Sequence, residues 1–585
     1  MCGIAGLMTA DGKTPGEATS VVLAQALAHR GPDGGGVYRR DDVALVHRRL
    51  AIIDLVTGDQ PLFAPPGLAL VANGEIYNHV ELRAEMADVA FATGSDCEPP
   101  LYLYRRHGLD FARYLRGMYT IALHDPDRRR LVLSRDPFGI KPLYYACGAW
   151  GLVFASEPQA ILATGLVDRR LRRQARDELL NLQFTTGAET VFAGIHRLLP
   201  GETVAVEGGR IVERRCLAAL PDGGTDDRSE SAVLDALDRA LSNSVCLHQR
   251  SDVPYGMFLS GGIDSSAVLA LMARLNDRPV LAFTARFPGT PVPDEGAHAR
   301  QVAAAVGADQ IEVDVTEQDF WQSLPAIAAA VDDPAADYAI VPTFKLAQVA
   351  RRSVKVVLSG EGGDELFAGY GRYRSAMRPW PFARRLRRRG TFDGLGLLRD
   401  ESPDWRLAFD LAAGESRRPD RSTLQAAQAL DCADWLPNDL LTKLDRCLMA
   451  HGVEGRVPFL DPVVAQFAFR LPDRLKVRQG LGKWLLRRWL SAVLPAARPF
   501  SAKRGFTVPV EEWLAGRPAL GPLLARQPAI REICRPTAVE SLFSSIGKRT
   551  GFAAWTLLFY ALWHRRHIAG LAPVGDVFAT LSAEG

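Results

Sequence analysis

The sequence predicts two domains of different class: an α+β domain first, then an α/β domain built on a parallel sheet. Three observations predict them. Residues 1 to about 160 carry short apolar runs broken by Gly, Pro and Asp, with thin helical periodicity. From Pro254 onward, short apolar strands alternate with helical segments. Between the two lies Leu220-Pro221-Asp222-Gly223-Gly224-Thr225-Asp226-Asp227, a polar stretch with paired glycines that reads as a boundary. The divisions that follow are 1–215, a linker over 216–228, and 229–585.

Taken in order, Val43–Val46, Ala69–Ala72, Tyr119–Leu123 and Leu131–Leu133 read as strands of the first domain. Helical patterning there is clearest at Glu17–His29 and Glu98–His107. Residues 190 to 215 add short strands around the Pro200-Gly201 turn. Ser229–Leu247 reads as an amphipathic helix. Pro254–Leu259 then leads into Ile263–Arg274, Val280–Phe283 into Ala297–Val306, and Val354–Leu358 into a glycine loop. Strands in such alternation lie parallel, with helices on both faces. The last hundred or so residues read as mainly helical.

The bulk numbers exclude several classes. The 585 residues are 47% hydrophobic and 23% charged, ordinary for a globular protein with ample chain for buried cores. A net charge of +3 argues against a nucleic-acid or anionic-membrane surface. No run of about 18 uncharged apolar residues occurs, so no membrane span is expected. Met1–Leu7 lacks a basic leader and a secretory h-region. Eight cysteines are scattered without a C-x-x-C pair, which predicts no disulfide or zinc framework and a reducing, cytoplasmic setting. The run Arg384–Arg389 reads as a solvated face, because no aromatic platform is interleaved with it.

Cys2 stands next to Gly3 and becomes the terminal residue once Met1 is removed. A thiol on a free α-amino terminus carries its own base: the amine has an ordinary pKa near ~8 and can take the thiol proton directly or through water. Singly, the residues around it have plain readings. Arg49 could be a surface charge, Asp96 a helix cap and Asn73-Gly74 a hairpin turn. Together they form a pattern: Cys2; His29-Arg30-Gly31-Pro32-Asp33-Gly34; His47-Arg48-Arg49; Gln60-Pro61; Asn73-Gly74-Glu75-Ile76-Tyr77-Asn78; Ser95-Asp96-Cys97-Glu98; Arg135-Asp136-Pro137-Phe138-Gly139-Ile140-Lys141-Pro142; Phe154-Ala155-Ser156-Glu157.

This pattern resembles the glutamine amidotransferase domain of the class that includes asparagine synthetase, glucosamine-phosphate synthase and the purine-pathway amidotransferase. The resemblance implies an N-terminal-nucleophile (Ntn) hydrolase fold, an αββα sandwich. It implies that Cys2 attacks the glutamine amide and that Arg49 clamps the α-carboxylate through its fork. Asp96 and Asn73-Gly74-Glu75 would hold the ammonium and side-chain amide, with Asn73 and the Gly74 N–H stabilising the oxyanion.

In the second domain, Ser260-Gly261-Gly262-Ile263-Asp264-Ser265-Ser266 follows an apolar strand and opens a helix. Small residues let the backbone approach phosphate oxygens at a helix N-terminus. The spacing is neither a Walker A loop nor a dinucleotide fingerprint. A second loop, Ser359-Gly360-Glu361-Gly362-Gly363-Asp364-Glu365, also leaves a strand's carboxyl end, where open α/β sheets bind ligands. Asp264 and Asp364 are hard oxygen donors suited to Mg²⁺.

These loops resemble those of the ATP pyrophosphatase superfamily and, more narrowly, the synthetase domain of asparagine synthetase. That likeness extends through His451-Gly452-Val453-Glu454-Gly455-Arg456-Val457-Pro458-Phe459-Leu460-Asp461, Gly482-Lys483-Trp484 and Lys503-Arg504-Gly505-Phe506. It implies ATP binding by Leu259, Ser260, Gly261, Gly262, Asp264, Ser265, Ser266, Phe283, Ser359, Gly360, Glu361 and Lys483, with Mg²⁺ on Asp264 and Asp364. Lys483 would neutralise the transition state, and Glu361 would orient the acceptor or relay a proton. Glu454 and Arg456 read either as a structural ion pair or as partners of the acceptor. A dry passage for ammonia is expected between the domains, with Arg30 near its start.

The expected partners are glutamine, ATP, a carboxylate acceptor that the resemblance gives as aspartate, and a second copy of the chain in a homodimer. Neither nucleic acid nor membrane is expected. Relatives of the same pattern amidate sugar acids or peptides or close β-lactam rings. This chain departs from the usual pattern at Ala368, where glycine is usual, and in Gly117-Met118-Tyr119-Thr120-Ile121. The segments expected to shape the acceptor pocket, Pro293-Asp294-Glu295 and Asp332–Tyr338, do not single out aspartate. An RNA-modifying ATP pyrophosphatase is the competing enzyme class, and near-neutral charge counts against it.

Overall fold

The computed structural model describes residues 2–584 apart from 227, 292–294, 380–381, 383–385, 401–402, 502–506 and 548–549. Pro293 and Asp294, Arg384 and Arg385, and the Lys503–Phe506 motif therefore lie outside the described residues. The first half holds twelve strands: β1 (Gly3–Thr9), β2 (Gly34–Arg40), β3 (Val43–Arg49), β4 (Leu62–Ala64), β5 (Leu68–Ile76), β6 (Gly117–Asp125), β7 (Arg130–Arg135), β8 (Tyr144–Gly148), β9 (Gly151–Ala155), β10 (His196–Arg197), β11 (Glu202–Glu207) and β12 (Arg210–Cys216).

They form two six-stranded sheets, ordered β10-β8-β9-β1-β3-β2 and β12-β11-β7-β6-β5-β4. Alternation along each strand decides the layering, since successive side chains point to opposite faces. On β1, Ile4 and Met8 join an inner core with Ala69 and Val71 of β5. Ala5 and Leu7 face outward, onto Leu23 and Leu27 of and just beyond helix Glu17–Ala26 and onto Ile161 of helix Pro158–Ala163. On β5, Leu70 and Ala72 face outward onto Leu101 and Tyr104 of helix Pro99–His107. Helix, sheet, sheet, helix is the predicted αββα sandwich.

The second half carries β13 (Tyr255–Phe258), β14 (Leu281–Arg286), β15 (Asp309–Asp314), β16 (Val356–Leu358) and β17 (Glu454–Arg456). They pair in the order β15-β14-β13-β16-β17, every pair parallel. This is the predicted α/β domain. The strand order reverses between β13 and β16. Right-handed crossovers then place the intervening helices on opposite faces of the sheet, leaving a crevice at the carboxyl ends of those two strands. Both glycine loops leave at that crevice.

Between β12 and helix Glu230–His248 the described chain has no helix or strand, and Ser229 caps the helix by accepting from the Ala232 N–H at 3.3 Å. No helix among the described residues is long and apolar enough to cross a membrane. All eight cysteines are free.

Candidate active sites

Cys2 sits at the head of β1, buried against β5. Its N–H donates to Asn73 Oδ1 at 3.0 Å. The same amide leaves Nδ2 buried with no hydrogen-bond partner. A buried amide donor beside a nucleophile is costly to leave unmet, and it stands ready for an oxyanion. Burial pushes the Cys2 thiol pKa up, so the thiol needs a base to react. Gly74 follows with φ +152°, and a Cβ there would stand 2.0 Å from the Met118 carbonyl oxygen on β6. Glycine is thus fixed by close strand approach.

Glu75 and Asp96 are both buried beside this centre. Asp96 accepts from the Ile76 N–H at 2.7 Å, and burial pushes the Asp96 carboxyl up. Arg49 is already engaged, donating to Asp59 at 2.7 Å and to the Asp54 carbonyl at 2.5 Å. It orders the loop after β3 in this state, so a carboxylate would have to share its fork.

The thiol centre is wired to the second domain. Arg30, fully buried, donates to the Cys2 carbonyl at 3.2 Å and to Glu157 at 2.8 Å. It also donates twice to Asp445, at 2.8 and 3.0 Å, on helix Leu441–Met449 of the second half. Arg446 beside it binds Asp332 at 2.8 Å, and Asp333 binds Arg197 at 2.8 Å and the Tyr144 hydroxyl at 2.8 Å. Asp332 and Asp333 therefore serve the interface, while Asp337 and Tyr338, at the end of the expected Asp332–Tyr338 segment, line the cavity between the glycine loops. Arg456 bonds Glu454 at 2.6 Å and stands 3.3 Å from Glu75 across the interface. Burial pushes Glu454 up, but the positive groups around it, Arg456 and Lys141 among them, hold it down to about 2. Neither Glu454 nor Arg456 is among the residues that line the cavity between the glycine loops.

At the crevice, a cavity of about 550 Å³ opens between the two glycine loops. Leu259, Ser260, Gly262, Asp264, Ser265, Phe283, Ser359, Gly360, Glu361 and Asp364 line one side of it. Gly261 and Ser266 do not line it. Gly261 instead turns the loop at φ +72°. Ser260 Oγ receives the Gly262 N–H at 3.3 Å and stands 3.1 Å from Ser265 Oγ, which folds the loop onto its own helix. Lys483 lies beneath the lining. Its ammonium is held between Asp264 and Asp364, the latter at 2.7 Å. Both carboxylates therefore reach one cationic group and fit the one or two carboxylates that Mg²⁺ takes besides phosphate oxygens. Burial pushes the Glu361 carboxyl up.

Sequence similarity agrees with this geometry. The asparagine synthase family model matches residues 236–565, and the glutamine amidotransferase domain model matches residues 1–216. The chain belongs to the asparagine synthase family. A putative glutamine-hydrolysing asparagine synthetase of Mycobacterium tuberculosis is 34% identical, over 96% of this chain and 97% of that one. Glutamine-hydrolysing asparagine synthetase 1 of Bacillus subtilis is 31% identical over 93% of each chain. A protein of Gibberella zeae named amidase chry2 is 29% identical over 82% of this chain and 84% of that one. This asparagine synthase family member is a glutamine-dependent amidotransferase of the asparagine synthetase type.

Beyond Asp337 and Tyr338, which belong to an expected acceptor segment, the far wall of the cavity was not legible in the sequence. Gln183, Asp337, Tyr338, Arg387, Trp435, Asp439, Lys443 and Phe552 line it. They come from segments remote in sequence, and one sits in the arginine run expected to be solvated. Arg388 and Arg389 of that run are exposed as expected, but Arg387 turns inward. The missed signal was Trp435, whose ring supplies the aromatic platform that the run itself lacks.

Proposed function

We propose that this enzyme releases ammonia from glutamine at Cys2 and uses it to amidate an ATP-activated carboxylate, with aspartate as the acceptor and asparagine as the product. The terminal amine takes the thiol proton, the thiolate adds to the glutamine amide carbon, and Asn73 Nδ2 with the Gly74 N–H receives the oxyanion. Collapse expels ammonia and leaves a glutamyl thioester for water to cleave. Arg49, Glu75 and Asp96 hold the two charged ends of glutamine.

In the crevice, the acceptor carboxylate attacks the α-phosphorus of ATP held by the Ser260–Ser266 and Ser359–Glu361 loops. Pyrophosphate leaves, and ammonia displaces AMP from the acyl-adenylate. Bound between Asp264 and Asp364, Mg²⁺ would neutralise phosphate charge. Lys483, held by the same carboxylates, is placed to follow that charge as it moves to the leaving group. Glu361, whose carboxyl pKa is pushed up by burial, is suited to exchange a proton with the incoming amine.

The observation that carries the reading is Arg30, a buried guanidinium bonded at once to Cys2 and to Asp445 of the synthetase half. Ammonia loses its nucleophilicity on protonation in water, so the two centres need such a closed junction. The amidase name of the Gibberella zeae relative favours a second reading, the same chemistry on an acceptor other than aspartate. The test is pyrophosphate release across a panel of carboxylates with glutamine supplied. Aspartate should stimulate it most, and Cys2→Ala should abolish glutamine use while ammonium chloride still yields amide. Glutamine use at the wild-type rate by Cys2→Ala would overturn the cysteine assignment.

A further inference from the structure

Arg387 is an oddity on four counts. Its backbone lies at φ +44°, a left-handed region that a residue with a Cβ rarely adopts. Its guanidinium lies 3.6 Å from the Trp435 ring centre and 5.0 Å from that of Phe184. Among the described residues, Nε and Nη2 are buried without a hydrogen-bond partner and the side chain forms no ion pair. It also lines the catalytic cavity. A buried charge without a partner is among the costliest arrangements a fold can carry. Strain of this kind clusters at functional sites.

The surrounding groups explain why no protein carboxylate answers it. Arg372, 4.0 Å from the same indole centre, is too close to share a face of the ring with Arg387. It takes Asp431 at 2.7 Å. Asp434 accepts from the Gly187 N–H at 3.0 Å and from Asn438 at 2.8 Å. Lys443 takes Asp337 at 2.7 Å. Asp439 lines the cavity with Oδ1 unpartnered and makes no bond to Arg387. Asp431, Asp434, Trp435 and Asp439 all stand on the π-helix Asp431–Leu440, a rare element that tends to mark functional sites. Of the cations lining the cavity among the described residues, Lys443 is paired with Asp337 and Arg387 has no carboxylate partner.

We propose that Arg387 binds a second anionic group on the acceptor, distinct from the carboxylate that is activated, so that the acceptor class is dianionic acids. Stacked on Trp435, the guanidinium is held in one plane and offers its edge to a carboxylate. Asp439 stands by as a partner for a cationic group if the acceptor carries one. The rings that hold the Arg387 guanidinium, Trp435 and Phe184, belong to neither phosphate loop, so the anion it awaits is assigned to the acceptor and not to the triphosphate. The proposal rests on the reading of this cavity as an acceptor site.

The test titrates the full chain, with a non-hydrolysable ATP analogue bound, against L-aspartate and succinate and against β-alanine and butyrate, which lack the second anion. Wild type should bind the first pair, and Arg387→Gln should weaken them by about 30-fold or more, the scale of losing a buried charge partner. Arg387→Lys should recover part of that loss, while binding of the second pair stays unchanged. Glutaminase activity and the KM for ATP should not move. Equal binding of both pairs by wild type, or equal weakening of all four acids, would overturn the proposal and leave Arg387 a packing residue. A KM for ATP that rises by the same factor would assign it to the triphosphate and also overturn it. Failure of the amidation reading looks different: no acid would promote exchange of labelled pyrophosphate into ATP, whatever Arg387 binds.

Discussion

At the scale of single residues, the thiol centre turns on how one amide is shared. Asn73 spends its oxygen on the Cys2 N–H at 3.0 Å and keeps Nδ2 unpartnered in a buried position. Asn73→Ala removes both the positioning bond and the oxyanion donor. Glutamine hydrolysis should fall about 10²–10³-fold, the usual cost of one such donor, while ammonia-driven amide formation is unchanged. Steady-state assays with either nitrogen source check this. Cys2, Asn73 and Gly74 were legible in the sequence because chemistry fixes their types and spacing. Arg387 was not, because its partner Trp435 is remote and no local pattern distinguishes an inward arginine from its solvated neighbours. The departure at Ala368 has a physical face as well. It sits at φ +59°, where glycine is easy, but its methyl is buried with Tyr373 and Leu424, which offsets part of the strain.

At the scale of elements, the crevice depends on two loops packed to backbone contact. A Cβ on Gly360 would stand 2.9 Å from the Asp264 Cβ, so the second loop leans directly on the first. A Cβ on Gly369 would stand 1.7 Å from Asp364 Oδ1 and 2.3 Å from Lys483 Cε. Gly369→Ala should therefore push apart the Asp364–Lys483 pair and abolish ATP-driven amide formation with either nitrogen source. Glutaminase activity should survive, and a paired assay of glutamate and AMP release measures both. Strand and helix types were legible because period-2 alternation and apolar runs flanked by glycine are local signals. The strand order that puts β13 beside β16 is not local. It follows only from crossover handedness and the pairing of Tyr255 with Val356.

At the scale of the molecule, one buried ionic network joins the halves. Arg30 is shared by Glu157 and Asp445, and Asp445 is shared in turn with Arg446 at 2.9 Å. Against burial, the charges of Arg30 and Arg446 hold the Asp445 carboxyl below the usual carboxylate range. Asp445→Asn leaves two buried guanidiniums short of a counter-charge. It should cost roughly 3 kcal/mol of stability, read by denaturant unfolding, and should loosen the ratio of glutamate to amide formed. The sequence placed Arg30 near the junction through family likeness, but its partner on a helix more than four hundred residues away follows only from the folded structure.

The central claim is that both halves serve one acyl-adenylate, and oxygen tracing tests it most directly. With the acceptor carboxylate labelled with ¹⁸O and with glutamine as nitrogen source, the account predicts one labelled oxygen in AMP, with glutamate, amide and pyrophosphate in equal amounts. Label appearing in inorganic phosphate alongside ADP, with none in AMP, would contradict it.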